Sequence, residues 1–144
     1  VDTPKSQFAT GALSSLGSNK RRRLSAFDIT SSMRFATLTF SSLDNLPLKE
    51  SRRILCCAVG NSANAKTRIS AKEFKETQKG PVLTEPFYAE VSSNNVPGTH
   101  LKVYKLDPNT GKRIGTLSTV SKQGKETFII DKNAKTMYFE LIRE

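Results

Sequence analysis

The sequence has few of the residues on which most enzymes rely for catalysis. Its single histidine, His100, lies beside a Gly/Pro/Asn loop, and it has no Gly-x-Ser-x-Gly motif and no phosphate-binding glycine loop. Glu85 and Glu90 are an odd number of residues apart on one predicted strand, so they should face opposite sides rather than form a catalytic pair. We therefore predict no catalytic residues and no cofactor, and we do not expect an enzyme.

Cysteine is scarce as well, with only Cys56 and Cys57, which are adjacent. Neighbouring side chains on a strand point to opposite faces, so we expect no disulfide between them and expect one to pack in the core. This pattern indicates neither a disulfide framework nor a metal site. The cysteines therefore neither support nor exclude secretion of the protein. We predict no bound metal.

Long hydrophobic runs are also missing. No run approaches the ~20 residues that span a bilayer, so no membrane partner is expected.

Positive charge, in contrast, is abundant: 23 Lys and Arg against 13 Asp and Glu give a formal net charge of +10. This excess fits either a polyanionic partner or a solvated basic surface. Because the basic residues are scattered, with one dense cluster at residues 20–23, the pattern does not favour nucleic acid.

The pattern of short apolar runs predicts an all-β fold. β-Branched and aromatic residues alternate with turn signals about every ten residues, and no long amphipathic helix is present. The predicted strands cover residues 33–40, Arg53 to Val59, Val82 to Val91, Leu101 to Leu106, Arg113 to Val120, 126–130 and 136–142. The apolar run from Ile54 to Val59 is typical of a strand buried on both faces, and residues 70–78 fit a short helix or an irregular connection. We predict one antiparallel, jelly-roll-like β-sandwich domain over residues 1–144, loop-rich over residues 1–31.

Tyrosines and loop amides are the candidate ligand-binding groups. Aromatic rings commonly cover the apolar faces of sugars, and the absence of Trp disfavours a flat strip for crystalline polysaccharide but not a groove. Tyr88 and Tyr138 are out of phase with their apolar neighbours and should face outward. The candidates are Tyr88, Tyr138, Tyr104, Asn64, Asn94 and Asn95. Half-buried surface tyrosines and turn-forming asparagines would give the same pattern, so that alternative stays open.

Four segments, in order along the chain, resemble one known family. Val1-Asp2-Thr3-Pro4-Lys5-Ser6-Gln7, with Gly11 after it, is similar to a V-D-T-P-R-T-Q segment that runs into a glycine. The stretch from Ser42 to Leu55 is similar to S-L-D-G-K-P-L-x-x-S-x-R-I-L, with Asn45 in place of the glycine. Ala58-Val59-Gly60 with Asn64, and then Pro81 to Pro86, resemble the A-V-G/A-R-A-x-N-T-G and P-V-L-V-E-P segments. These motifs resemble the C-terminal noncatalytic β-sandwich domain of secreted bacterial clan A glycoside hydrolases, which follows a (β/α)₈ catalytic barrel.

The resemblance implies a noncatalytic accessory domain of a secreted carbohydrate-active enzyme, with an N-terminal strand preceding Val1. Its implied partners are a polysaccharide and an upstream glycoside hydrolase catalytic domain. Three functions stay open: carbohydrate binding, a purely structural role against the catalytic barrel, and polyanion binding by a basic surface. An exposed apolar patch would favour the second function, and one contiguous basic face would favour the third.

Overall fold

Two antiparallel β-sheets pack face to face in a computed structural model that describes residues 1–15, 21–64, 68–69, 74–75, 81–94 and 100–144. The described residues form strands and one short 3₁₀ helix, η1, at Leu13–Ser15. The predicted antiparallel all-β sandwich is confirmed.

The larger sheet has six strands and joins the beginning of the chain to its end. In spatial order the strands are β1 (Ser6–Gly11), β4 (Ala36–Ser42), β5 (Arg53–Val59), β15 (Tyr138–Arg143), β11 (Leu101–Leu106) and β12 (Arg113–Leu117). The last strand, β15, pairs with β5 on one side and β11 on the other. This sheet is therefore completed only when distant segments meet.

The second sheet has five strands. In spatial order they are β13 (Thr119–Lys122), β14 (Lys125–Ile130), β10 (Ala89–Ser93), β3 (Phe27–Thr30) and β2 (Arg21–Arg23). Two further pairs lie outside the large sheets: β6 (Ser62–Asn64) with β9 (Val82–Thr84), and β7 (Arg68–Ile69) with β8 (Phe74–Lys75).

The core lies between the two sheets and is built from alternate residues of each strand. Ala36, Leu38 and Phe40 of β4 are fully buried, while the residues between them are half-buried. Phe40 stacks on Phe27 of the opposite sheet, with ring centroids 4.0 Å apart and ring planes 13° from parallel. Strand alternation therefore places one row of side chains in the core and leaves the next row on an outer face.

Two predicted strands are each interrupted. The stretch from Val82 to Val91 is not one strand, because β9 ends at Thr84 and β10 begins at Ala89. Pro86 lies in the gap and has no N–H to donate to a ladder. The stretch from Arg113 to Val120 is also divided, because β12 belongs to the six-stranded sheet and β13 to the five-stranded sheet. A local sequence pattern does not show this change of sheet. Strand β12 forms a hairpin with β11 and β13 forms one with β14, and only the packing of the two hairpins assigns them to different sheets.

Strand β5 keeps its predicted bounds, but the prediction that it is buried on both faces is wrong. Ile54, Cys56 and Ala58 are buried, whereas the alternate residues of β5 are only half-buried or exposed. The reason is that only one face of this sheet meets the other sheet. Cys56 accordingly lies in the core, and Cys57 is half-buried on the outer face. Both thiols are free, as predicted, and burial raises the pKa of each.

Other predicted boundaries shift by a few residues. The strand predicted at 33–40 begins later, at Ala36, and continues to Ser42. Of residues 70–78, the structure describes only Phe74–Lys75, which form β8, so the predicted helix or irregular connection lies otherwise outside the described residues.

Asp44 holds the turn that joins β4 to β5. Its Oδ1 accepts a hydrogen bond from the Ser42 hydroxyl at 2.8 Å, and its Oδ2 accepts one from the Arg52 N–H at 2.7 Å. Burial acts to raise the pKa of Asp44, but the surrounding hydroxyl and N–H donors outweigh it and hold the pKa well below its usual range. Asn45 takes a φ of 63°, a left-handed conformation that asparagine tolerates.

Candidate ligand-binding groove

The outer face of the five-stranded sheet carries an open polar groove with a volume of about 810 Å³. The Phe-Asp-Ile-Thr sequence of β3 buries Phe27 and Ile29 and turns Asp28 outward. Ser92 of β10 lies opposite both Asp28 and Thr127, so these three side chains form a row across β3, β10 and β14. The groove therefore crosses the strands rather than following one of them.

Asp28 lies at the floor of the groove, with only 5% of its side chain exposed. Its Oδ2 accepts hydrogen bonds from Arg21 Nη2 and, at 2.6 Å, from Lys125 Nζ. Burial acts to raise the pKa of Asp28, and the hydrogen bonds and charges of Lys125 and Arg21 together outweigh it, so the pKa is lowered. One buried carboxylate therefore holds two cations in place.

Asn94 extends this network. Lys125 Nζ donates a second hydrogen bond to Asn94 Oδ1 at 2.6 Å, and Asn94 Nδ2 donates to the Leu24 carbonyl at 3.2 Å. The Ser92 and Thr127 hydroxyls lie 2.9 Å apart beside it. The groove thus presents an ordered set of amide, hydroxyl and ammonium groups.

The remaining charged side chains of the groove are more loosely held. Lys122 Nζ is 3.6 Å from Glu90 Oε2, and both side chains are more than a third exposed. Arg23 also lines the groove, and no hydrogen bond or ion pair joins its side chain to the described part of the chain. Among the described residues, four basic side chains and two acidic ones line this groove.

The outer face of the six-stranded sheet differs in character. Glu140, with 7% of its side chain exposed, accepts hydrogen bonds from Arg53 at 2.8 and 3.0 Å and from Arg113 at 2.7 Å. Burial acts to raise the pKa of Glu140, but the two guanidinium groups lower it overall. The Arg113 guanidinium carbon also lies 4.0 Å from the Tyr104 ring centroid, a cation–π contact.

Half-buried apolar side chains surround this charged cluster. The central strands β5 and β15 present Leu55, Cys57 and Val59, and Tyr138 and Ile142, toward the outside. The two outer faces of the sandwich are therefore unlike: one bears a polar groove, and the other bears an apolar strip with an Arg–Glu–Arg cluster.

The four predicted site residues whose side chains the structure describes do not form one cluster. Tyr104 and Tyr138 lie on the same outer face of the six-stranded sheet, on adjacent strands. Tyr88 is 45% exposed and directly precedes β10, and Asn94 lines the groove. The backbone of Asn64 ends β6, its side chain lies outside the described residues, and so does the whole of Asn95.

Sequence reasoning missed the centre of the groove. Lys125 is 97 residues from Asp28 in the chain, and the two meet only because β14 and β3 both pair with β10. Arg21 is seven residues from Asp28, on the neighbouring strand β2. The available signals were an aspartate between Phe27 and Ile29 and the basic cluster at residues 20–23, whose described arginines form β2. Among the described residues no group of His, Cys, Asp and Glu could hold a metal ion, and no helix there is long and apolar enough to cross a membrane.

Comparison of the chain with family models, with curated proteins and with solved structures gave no match. The resemblance to the glycoside hydrolase domain accordingly stays a prediction that depends on the quoted motifs.

Proposed function

We propose that this chain is a noncatalytic accessory domain that binds polysaccharide in the groove of the five-stranded sheet. The observation that carries the proposal is the Asp28–Lys125–Asn94 network, which fixes donors and acceptors at the floor of an open groove. Ligand sites are typically concave, with volumes of about 300–1,000 Å³ and a few fixed polar groups, and this groove is within that range. Sugar hydroxyls both donate and accept hydrogen bonds, so they match such a mixed set of groups.

Secretion and an upstream glycoside hydrolase catalytic domain belong to the same proposal, because the resemblance implies both. A weak polysaccharide-binding domain raises the local concentration of a tethered catalytic domain at its substrate. The proposed role therefore needs no catalytic group on this chain.

The groove replaces tyrosine platforms as the preferred binding surface. Among the described residues its lining contains no aromatic side chain, so binding would depend on hydrogen bonds and charge rather than on stacking. Of the predicted site residues whose side chains the structure describes, Asn94 lines the groove. Tyr88, Tyr104 and Tyr138 lie outside the described lining, and the experiment below tests Tyr88 and Tyr138.

The test is affinity gel electrophoresis of the chain against a panel of soluble polysaccharides. We expect retardation by at least one polymer, and Asn94→Ala should reduce it because Lys125 loses an acceptor. Asn109→Ala is the matched control, since Asn109 is an exposed amide in the turn between β11 and β12. Tyr88→Ala and Tyr138→Ala should leave retardation unchanged. Retardation by no polymer at all would overturn the proposal.

A structural domain that packs against the catalytic barrel is the second candidate. The half-buried apolar strip on β5 and β15 favours it, because contiguous apolar surface often marks an interaction site. If the strip is such a surface, the isolated chain should bind a hydrophobic dye, and a Leu55→Thr/Ile142→Thr double variant should bind less. Equal dye fluorescence from both proteins would argue against this candidate.

A further inference from the structure

We propose that the groove is selective for acidic polysaccharides, whose sugar units carry carboxylates, with Arg23 and Lys122 as the carboxylate-binding cations. This inference rests on the proposed function and names the substrate class of the same groove.

The charge balance of the groove favours an anionic ligand. Asp28 is nearly inaccessible and already contacts two cations, so it serves to position Arg21 and Lys125 rather than to bind ligand. Those two side chains remain 35% and 37% exposed and can still contact a ligand. With four basic and two acidic side chains among the described residues, the groove keeps a positive excess close to its floor.

The two least satisfied cations project from opposite edges of the sheet. Arg23 lies on β2 and Lys122 on β13, which are the two edge strands. Strands about 4.8 Å apart place the backbones of these edges about 19 Å from each other. The Lys122 ammonium reaches inward to 3.6 Å from Glu90 on the central strand β10, so the two charges are closer together than the edges. Two separated cations in a groove that crosses the strands suit an extended chain with charged groups at intervals.

The groove offers little to a neutral sugar chain. Leu24 is the only apolar residue among the described residues of its lining, so ring stacking and apolar burial contribute little. A cation can donate a hydrogen bond to a neutral sugar hydroxyl, but a carboxylate adds the attraction of an opposite charge. A sugar carboxylate can also accept two parallel hydrogen bonds from the Arg23 guanidinium.

The same lining disfavours nucleic acid. Duplex DNA carries one negative charge about every 1.7 Å of its axis, and the Glu90 carboxylate lies within the groove. Single-stranded nucleic acid is usually bound by stacking on aromatic rings, and the described part of the lining has none. A polyuronate carries fewer charges along its length and has hydroxyls that can donate to Glu90.

The experiment compares polygalacturonate with its carboxyl-reduced, neutral form in affinity gels at low and physiological salt. The test variant is Arg23→Gln/Lys122→Gln, and the matched control is Arg52→Gln/Lys112→Gln, which removes the same charges at exposed positions outside the groove. We expect polygalacturonate to retard the wild type and the control equally, and to bind the test variant at least about tenfold more weakly. The reduced polymer should bind all three proteins weakly and equally.

Each other outcome would overturn the inference in a distinguishable way. Equal retardation by the charged and reduced polymers would leave polysaccharide binding intact and contradict acidic selectivity. Retardation by no polysaccharide, neutral or acidic, would contradict the proposed function itself. Binding of a duplex DNA probe as strong as that of polygalacturonate, with a steep salt dependence, would indicate general polyanion binding instead.

Discussion

At the scale of single residues, Arg143 is a buried cation that connects the two sheets to a loop. Its guanidinium donates to the carbonyls of Leu48 and Ser51 and to the Ser93 hydroxyl, and burial lowers its pKa. Among the described residues no carboxylate contacts it, so its hydrogen bonds, together with the more distant charge of Asp44, must offset the cost of burying its charge.

We predict that Arg143→Met lowers the free energy of unfolding by about 1–3 kcal/mol, because it leaves two buried carbonyls without donors. Urea denaturation measures the change. The exposed Arg52→Met should change stability by no more than about 0.5 kcal/mol. An unchanged midpoint for Arg143→Met would mean that the cost of desolvating the guanidinium cancels its hydrogen bonds.

Three carboxylates should make the fold sensitive to acid. The folded pKa values of Asp28, Asp44 and Glu140 lie below their ordinary values of 3.8, 3.8 and 4.5, so the unfolded chain binds protons more readily than the native state. Their stabilisation is complete above the ordinary values and is lost as pH falls through the lower folded values. We expect the free energy of unfolding to decline below about pH 4, measured by urea titration at a series of pH values. Asp44→Asn should reduce that decline, and a constant stability from about pH 5 to about pH 2 would contradict the prediction.

At the scale of elements, the β13–β14 hairpin shows how turn chemistry sets register. Lys122 pairs with Lys125, and the two residues between them, Gln123 and Gly124, have φ values of 52° and 75°. Two positive φ values in a two-residue loop define a type I′ turn, which favours Asn-Gly. The turn is a structural feature that also places Lys122 and Lys125 at the groove.

Gly124→Ala should therefore destabilise the protein by about 1–2 kcal/mol, because a Cβ strains the left-handed conformation. Gln123→Asn should instead raise the melting temperature slightly. The matched control is Gly115→Ala, whose φ is not positive and whose new Cβ would meet only the flexible end of Lys105. Calorimetry of the three variants gives the order of their melting temperatures. An equal loss of stability in Gly124→Ala and Gly115→Ala would refute the turn assignment.

At the scale of the whole molecule, the two sheets depend on one shared core. The Phe27–Phe40 stack joins β3 of one sheet to β4 of the other, and both rings are fully buried. Neither sheet can bury its apolar face without the other, so they should unfold together.

We predict that Phe40→Ala lowers the free energy of unfolding by about 3–5 kcal/mol while the transition stays single. Phe35→Ala is the matched control. Phe35 is 47% exposed, so its replacement should lower the free energy of unfolding only slightly. Circular dichroism and tyrosine fluorescence, followed in the same urea titration, test whether the sheets unfold together. Separate transitions for the two probes would indicate two independent units.

The sequence by itself determined the fold class and the local turns. Short apolar runs and the turn signals between them identified β5 and β11 with their bounds. These features depend on neighbours within a few residues, where backbone preference and side-chain spacing act directly. The alternation of side chains along a strand likewise predicted that Cys56 and Cys57 face opposite sides of the sheet.

Tertiary structure decided which sheet each strand joins and therefore which side chains meet. The half-buried outer face of β5 and the Asp28–Lys125 pair depend on contacts between segments far apart in the chain. The division of β12 from β13 depends on the packing of two local hairpins into different sheets. Both effects arise from contacts across strands and between sheets, which no local period encodes. The sequence thus predicted a sandwich, and only the packing of strands produced the groove and placed its charges.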